Sequence, residues 1–144
     1  MQLKTIDYGS DRYQETLDLR NRVMKQPLNL DIRDEDLSGE ESGYVVGAFD
    51  GEQLLGMGSL SYVNDTCAKV DYLCVDTEIQ ASGVGSNLLM AMETEAKYQK
   101  RAEVVLEARV SAQKFYEKKG YKPFGDVYLL DNAPIEHIWM IKTL

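Results

Sequence analysis

Two glycines, Gly83 and Gly85, separate the apolar run 70–75 from the amphipathic segment 86–96. This order predicts a strand, a turn and then a helix. Glycine lets the backbone approach phosphate oxygens without a Cβ in the way, and the N–H groups at a helix N-terminus attract anions. The segment therefore predicts a cradle for a phosphate-bearing ligand.

Two familiar phosphate-binding motifs do not fit this cradle. A P-loop has Lys and Ser or Thr after its last glycine, whereas Ser86 and Asn87 stand here, so nucleotide hydrolysis is not indicated. The dinucleotide motif needs a third glycine at the position that Leu88 occupies. What remains is Gln-x-x-Gly-x-Gly, from Gln80 to Gly85, after a strand.

A second group of residues follows about 30 positions later, the separation that one crossover helix and one strand require. Residues 104–108 predict a short buried strand, and residues 111–119 predict a helix that a glycine ends. The pattern Ala-x-x-Phe-Tyr-x-x-x-Gly-Tyr runs from Ala112 to Tyr121. The two blocks together resemble the signature of the GCN5-related N-acetyltransferases (the GNAT family), well over residues 67–125 and loosely in the flanks.

The resemblance implies acetyl-CoA as the acyl donor and no metal. The backbone of Leu73, Cys74 and Val75 is expected to pair with the pantetheine arm like an extra strand, with one N–H serving the acetyl carbonyl. The pyrophosphate is expected to lie among Gln80, Ser82, Gly83, Val84, Gly85 and Ser86. Arg109 stands where many relatives have Asn, which puts one customary bond to the donor arm in doubt.

Tyr116, in the second block, is the candidate for the residue beside the leaving sulfur. A phenol with an ordinary pKa of about 10 stays protonated near neutral pH and can donate to a thiolate. Because the conjugate thiol has a pKa of about 8.5, complete proton transfer is uphill by roughly 2 kcal/mol. Hydrogen-bond stabilisation therefore competes with acid catalysis. The alternative for Tyr116 is a core aromatic like Phe115.

Three candidates compete for the role of base. Asp71 is expected to share a strand face with Leu73 and to point into the cleft, with solvent or Lys69 as its alternative partner. His137 is the only histidine, a residue type that ordinarily titrates near neutrality, and its segment resembles the Ile-Pro-His-x-x-Met tail of a small bacterial subgroup. Water is the third candidate.

Arg20 is the candidate for binding the acceptor. It lies in a segment that resembles the Leu-Arg-x-x-Val opening of the same subgroup, in which the first helix and the following loop cover the acceptor pocket. The acidic residues of segment 29–43 are an equal candidate for selecting the substrate. The alternative for Arg20 is an ion pair with Asp31 or Glu41.

Composition sets the class of protein. The 144 residues fit one domain, 1–144, and 44% hydrophobic and 28% charged residues are ordinary for a soluble globular chain. The net charge of −8 argues against nucleic acid and is compatible with a cationic amine. No apolar run is long enough to span a membrane, and no signal-peptide pattern appears. Cys67 and Cys74, about 23 Å apart on one strand, predict free thiols in a reducing cytoplasm.

The remaining elements predict an α+β fold. Strands are expected at 3–6, 44–49, 53–60, 67–75, 127–130 and 135–141, with a helix at 11–24 and a turn at 131–132. Segment 29–43 reads as a mobile loop or short helix. The resulting sheet is mixed and mostly antiparallel, with one central βαβ crossover and helices on both faces, as in the GNAT fold.

The predicted activity is transfer of an acetyl group from acetyl-CoA to a primary amine of a small molecule, by direct attack in a ternary complex. A possible homodimer is implied by relatives that pair through their terminal strands. The alternative is a non-catalytic acyl-CoA sensor that has kept the cleft.

Overall fold

The computed structural model describes residues 1–79, 82–130 and 133–144. Within them lie seven strands, Gln2–Thr5 (β1), Tyr44–Asp50 (β2), Gln53–Tyr62 (β3), Cys67–Val75 (β4), Glu103–Arg109 (β5), Lys122–Leu130 (β6) and Ala133–Thr143 (β7). The same residues form three α-helices, Asp11–Arg20 (α1), Val84–Tyr98 (α2) and Gln113–Lys118 (α3). None of the helices described is long and apolar enough to cross a membrane.

The strands form one mixed sheet in the order β1-β2-β3-β4-β5-β7-β6. Every neighbouring pair is antiparallel except β4 and β5, which helix α2 joins by a crossover. A parallel pair needs such a crossover, because its strands begin at the same edge. The predicted α+β, GNAT-type architecture is confirmed.

Each face of the sheet carries its own hydrophobic core. Helix α2 buries Val84, Leu88, Leu89, Met92 and Ala96, at the spacing of one helix face, against one side of the sheet, where α3 also packs. Helix α1 buries Tyr13, Leu17 and Leu19 against the other side. The two faces therefore place α1 opposite α2 and α3 across the sheet.

The first helix is shorter than predicted. Ser10 caps it by accepting a hydrogen bond from the N–H of Tyr13, but α1 ends at Arg20 and continues as a π-helical turn, Asn21–Lys25. The Asn21 side chain accepts from the N–H of Ile32 at 2.6 Å. Segment 29–43 contains two 3-10 turns, Ile32–Asp34 and Ser38–Glu41.

The end strands are longer than predicted, because β6 and β7 form one hairpin that continues to the end of the sheet. The register joins Lys122 to Ile141 at one end and Leu130 to Ala133 at the other. The turn expected at 131–132 lies outside the described residues.

Helix α3 ends as the sequence predicts. The N–H of Gly120 donates to the carbonyl of Glu117, and the N–H of Tyr121 donates to the carbonyl of Tyr116, both at 3.1 Å. This is the Schellman pattern, which needs a left-handed residue after the helix, and Gly120 has φ +95°. The motif fixes the helix that carries Tyr116.

Gly120→Ala is expected to lower the free energy of unfolding by about 1–2 kcal/mol, because a Cβ disfavours the left-handed conformation. Urea denaturation followed by circular dichroism measures this. Gly39→Ala is the matched control, since Gly39 lacks a positive φ and a Cβ there meets nothing within 4 Å. Equal losses for the two variants would contradict the assignment.

Candidate active site

Strands β4 and β5 pair over only part of their length. Their register ends where Val70 lies opposite Leu106, although β4 continues to Val75 and β5 to Arg109. In the described chain, the β5-facing edge of residues 71–75 therefore has no strand partner. Free N–H and C=O groups on such an edge bind an extended ligand as an added strand. The opening includes the three residues predicted to pair with the pantetheine arm.

A β-bulge in β4 places Asp71. The β3–β4 register skips this residue, because its neighbours Val70 and Tyr72 lie opposite consecutive residues of β3. Val70 and Leu73 consequently pack in the same core although they are three positions apart. The expectation that Asp71 shares a face with Leu73 is wrong. Its carboxylate lies instead near Lys69, with 3.9 Å between Nζ and Oδ1.

The N-terminus of α2 follows the predicted cradle. Gly83 is the N-cap residue with φ +81° and supplies no side-chain cap, so the first N–H groups of the helix can meet a ligand. A Cβ on Gly85 would lie 3.6 Å from both Phe115 and Val75, an ordinary contact. Packing within the chain therefore does not require glycine there.

The other predicted cradle residues differ in exposure. Ser82 is exposed and Ser86 is partly buried, so their hydroxyls lie at the surface of the helix start. Val84 is buried in the core and offers a ligand only its main chain. Gln80 lies outside the described residues.

Tyr116 lies at the open end between β4 and β5. Its ring packs edge-on against Phe115 and Tyr121, with centroid distances of 5.1 and 5.8 Å, and its side chain lines a cavity of about 600 Å³. Burial raises the pKa of the Tyr116 hydroxyl to about 12. The hydroxyl therefore stays protonated at any physiological pH.

One cavity is lined by all three residues that the sequence predicts to be catalytic, Tyr116, Asp71 and His137. Its charged lining is mostly acidic, with Glu35, Asp36, Glu40, Asp71 and Glu107 against Lys25, Lys69 and Arg109. Carboxylates around an enclosed space favour a positively charged ligand.

Asp71 and His137 present different proton acceptors to this cavity. Burial raises the pKa of the Asp71 carboxyl above its ordinary value, against the opposing effects of a hydrogen bond with Ser61 and of the Lys69 charge. His137 Nδ1 lies 2.6 Å from the carbonyl of Ile135. Since a carbonyl only accepts, Nδ1 donates there, and Nε2 is the ring atom left to accept a proton.

Arg20 does not line the cavity. Its side chain is fully buried, and it donates from Nη1 and Nη2 to the two carboxylate oxygens of Glu40, at 2.7 and 2.9 Å. Nη2 also donates to Thr16. The partner is therefore neither Asp31 nor Glu41, the two carboxylates expected from the sequence. Arg20 reaches the cavity through Glu40, which Tyr13 also contacts, and through the ring of Tyr72, whose centroid lies 5.0 Å from its guanidinium carbon.

In the cavity, Glu35 belongs to the acidic segment 29–43 that the sequence offers as a candidate for selecting the substrate, whereas Glu107 was not singled out from the sequence. Glu35 accepts from the hydroxyl of Tyr72 and pairs with Lys25, each at 2.5 Å, so two bonds hold the acidic segment over the sheet. Glu107 accepts from Lys69 at 3.1 Å and from Tyr128 at 2.5 Å. The only sequence signal for Glu107 is a charge within the apolar run 104–108.

Cys74 is unsuited to covalent catalysis. It is 2% exposed, and burial raises the pKa of its thiol to about 12. The thiolate, which is the nucleophilic form, is therefore negligible near neutral pH. Cys67 is also buried, and burial raises the pKa of its thiol as well.

Together, this fold and site define an N-acetyltransferase, and comparison with known proteins agrees. The profile of the acetyltransferase (GNAT) domain matches residues 13–144. The chain therefore belongs to the GNAT acetyltransferase family. It is 29% identical over 138 residues to the uncharacterized N-acetyltransferase YjcF of Bacillus subtilis (strain 168), with 95% of this chain and 96% of that protein covered.

Solved structures share the fold. A putative N-acetyltransferase from Lactobacillus plantarum superimposes with a TM-score of 0.82 at 20% identity, covering 100% of this chain and 99% of the other. An aminoglycoside 6'-N-acetyltransferase complexed with coenzyme A gives a TM-score of 0.79 at 21% identity, covering 99% and 97%.

Neither cysteine is expected to react quickly with a disulfide reagent such as DTNB in the native protein, because burial keeps both as thiols. Both should react at once after unfolding in guanidinium chloride. The release of thionitrobenzoate, followed at pH 7.5, measures this. Cys74→Ala is the control that assigns the signal, and rapid native labelling that this variant abolishes would contradict the burial described.

Proposed function

We propose that the protein transfers an acetyl group from acetyl-CoA to a primary amine of a small molecule by direct attack in a ternary complex. One observation carries the proposal. The unpaired edge of β4 and the acidic cavity meet at Asp71 and Leu73, and Tyr116 lines the same cavity, so a donor bound along the edge would present its thioester to an acceptor in the cavity.

The donor site fits coenzyme A in two places. The free edge at Leu73, Cys74 and Val75 suits the amide groups of the pantetheine arm, and the N-terminus of α2 beyond Gly83 suits the diphosphate. When bound, acetyl-CoA supplies the activated acyl group. The chain's part is to orient the carbonyl toward an N–H of β4, because a donor placed there stabilises negative charge as it develops on oxygen.

The acceptor site suits an amine. The carboxylates of the cavity attract the ammonium form, and attack requires that its proton be removed. Asp71 is the proposed base, since its raised pKa improves a carboxylate as a proton acceptor. His137 Nε2 is one alternative base, because His137 lines the same cavity as Asp71. A water molecule is the other.

Tyr116 is proposed to stabilise the departing sulfur. With a phenol pKa of about 12 against about 8.5 for a thiol, complete proton transfer is uphill by roughly 5 kcal/mol. A hydrogen bond from the hydroxyl to the thiolate is therefore favoured over full protonation. The buried position strengthens such a bond, because water does not compete for it.

The state of Cys74 supports the proposal of direct attack. An acyl-enzyme would need a thiolate next to the thioester, and the pKa of about 12 keeps that form scarce. Transfer in a ternary complex needs no such intermediate. Cys74→Ala is accordingly expected to remain active.

Tyr116→Phe is expected to lower turnover by about a hundredfold, the lower range for a positioned proton donor. Free thiol release from acetyl-CoA, measured across a panel of primary amines, reports the activity. Tyr98→Phe is the matched control, because Tyr98 is 78% exposed on α2. If the protein binds coenzyme A but turns over with no amine, the alternative of a non-catalytic acyl-CoA sensor is favoured. If Tyr116→Phe turns over at the wild-type rate, Tyr116 does not stabilise the departing sulfur.

Asp71→Asn is expected to lower the rate about 10²-fold, since it removes a base of the kind that gives such factors. In the wild type, protonation of a carboxyl with a raised pKa should reduce the rate as pH falls, at a pH above the ordinary range of aspartate. Rate profiles against pH measure this, with exposed Asp65→Asn as control. An acidic limb that survives in Asp71→Asn and disappears in His137→Gln would transfer the role to His137.

A further inference from the structure

Residues 76–79, which follow β4, are held by an ion pair with a residue of the first helical segment. Arg22 donates from Nη1 to Asp76 Oδ1 at 3.1 Å and from Nη2 to Oδ2 at 3.0 Å. The Asp76 side chain is 8% exposed and that of Arg22 is 45% exposed. A bidentate pair on a buried carboxylate fixes geometry better than an ordinary surface ion pair.

Asp76 organises the turn from its first residue. Its N–H donates to the carbonyl of Leu55 at 2.8 Å, and its own carbonyl accepts from the N–H of Ile79 at 3.3 Å. Its Oδ1 accepts from the N–H of Glu78 at 3.0 Å. One residue thus joins the end of β4, the neighbouring strand β3 and the first half of the turn that leads to Gly83.

Arg22 belongs to the π-helical turn Asn21–Lys25, which makes three separate attachments. Asn21 contacts Asp31 and the N–H of Ile32, and Lys25 pairs with Glu35 at the acceptor cavity. Arg22 alone faces the donor side. Both of its terminal nitrogens point to Asp76, with Glu78 Oε2 further away at 3.8 Å.

We propose that Arg22 is a positioning residue for the acyl donor, acting through Asp76 to hold residues 76–79, which lead from the end of β4 toward the proposed diphosphate site at the N-terminus of α2. The inference rests on the proposed use of acetyl-CoA. It assigns Arg22 no contact with the donor, because the carboxylate already occupies its guanidinium. Without Arg22, the Asp76 carboxylate loses its partner and can turn away from the N–H of Glu78. Residues 76–79 then lose this restraint.

A double-mutant cycle with Arg22→Ala and Asp76→Ala tests the proposal, with coenzyme A as the titrant in isothermal calorimetry. Arg22→Ala is expected to weaken binding about tenfold, the effect of one charge-assisted hydrogen bond. In the Asp76→Ala background the same substitution should change the affinity by less than about twofold, because its target is gone. Arg22→Lys keeps the charge but not the pair of parallel hydrogen bonds to the two carboxylate oxygens. Its affinity for coenzyme A should therefore lie between those of the wild type and Arg22→Ala.

Arg33→Ala is the matched control, since Arg33 is 46% exposed and pairs with a surface carboxylate, Asp18, at 3.0 Å. It is expected to bind coenzyme A as the wild type does. Circular dichroism and thermal unfolding of each variant without ligand show that it is folded. If Arg22→Ala misfolds, the Arg22→Lys and Asp76→Asn variants complete the cycle.

Two results would overturn this proposal without affecting the assignment of acetyl-CoA as the donor. If Arg22→Ala binds coenzyme A as tightly as Arg33→Ala does, the ion pair between Arg22 and Asp76 does not contribute to binding. If Arg22→Ala lowers the affinity for coenzyme A another tenfold in the Asp76→Ala background, Arg22 contacts the ligand itself. Absence of heat with wild-type protein is a different failure, because it removes acetyl-CoA as donor and this inference with it.

Discussion

The separation of β4 from β5 beyond Val70 and Leu106 is the constraint on which the site depends. If the two strands stayed paired, the N–H and C=O groups of residues 71–75 would be used within the sheet. A polar backbone group buried without a partner costs about 1–3 kcal/mol, so the gap is stable only where water or a ligand fills it. Helix α3 packs beside this opening, and the divergence therefore creates both the free edge of β4 and the space that Tyr116 lines.

Opposite electrostatic requirements meet across this opening. The N-terminus of α2 favours an anion, whereas the charged residues that line the cavity on the other side are mainly carboxylates. The buried pair of Arg20 and Glu40 keeps one of these carboxylates in place, and breaking such a pair costs about 3–5 kcal/mol because a charge is left without its partner. The ion pairs of Glu35 and Glu107 similarly fix their carboxylates. Three of the acidic residues in the lining, Glu35, Glu40 and Glu107, are therefore each held by an ion pair within the fold.

Local signals explain what the sequence could predict. The order of β4, α2 and β5 follows from glycines and from periodic apolar residues, and both act over a few positions. The bulge at Asp71 gives no such signal, because it adds one residue inside a continuous strand. The partner of Arg20 lies 20 positions away in a segment with few apolar anchors, so only the folded chain selects Glu40 over its acidic neighbours. The roles of Tyr116, Asp71 and His137 stay predictions, although all three line one cavity.

Burial acts on Asp71 and Tyr116 in the same direction but with different chemical consequences. It raises the pKa of both groups. For the carboxyl this strengthens a base, since the carboxylate accepts a proton more readily, and Lys69 nearby limits the rise by favouring the charged form. For the phenol it weakens an acid, since the hydroxyl becomes a hydrogen-bond donor that does not ionise. These opposite effects support the proposed division of tasks, in which Asp71 accepts a proton on the amine side and Tyr116 stabilises charge on the sulfur side.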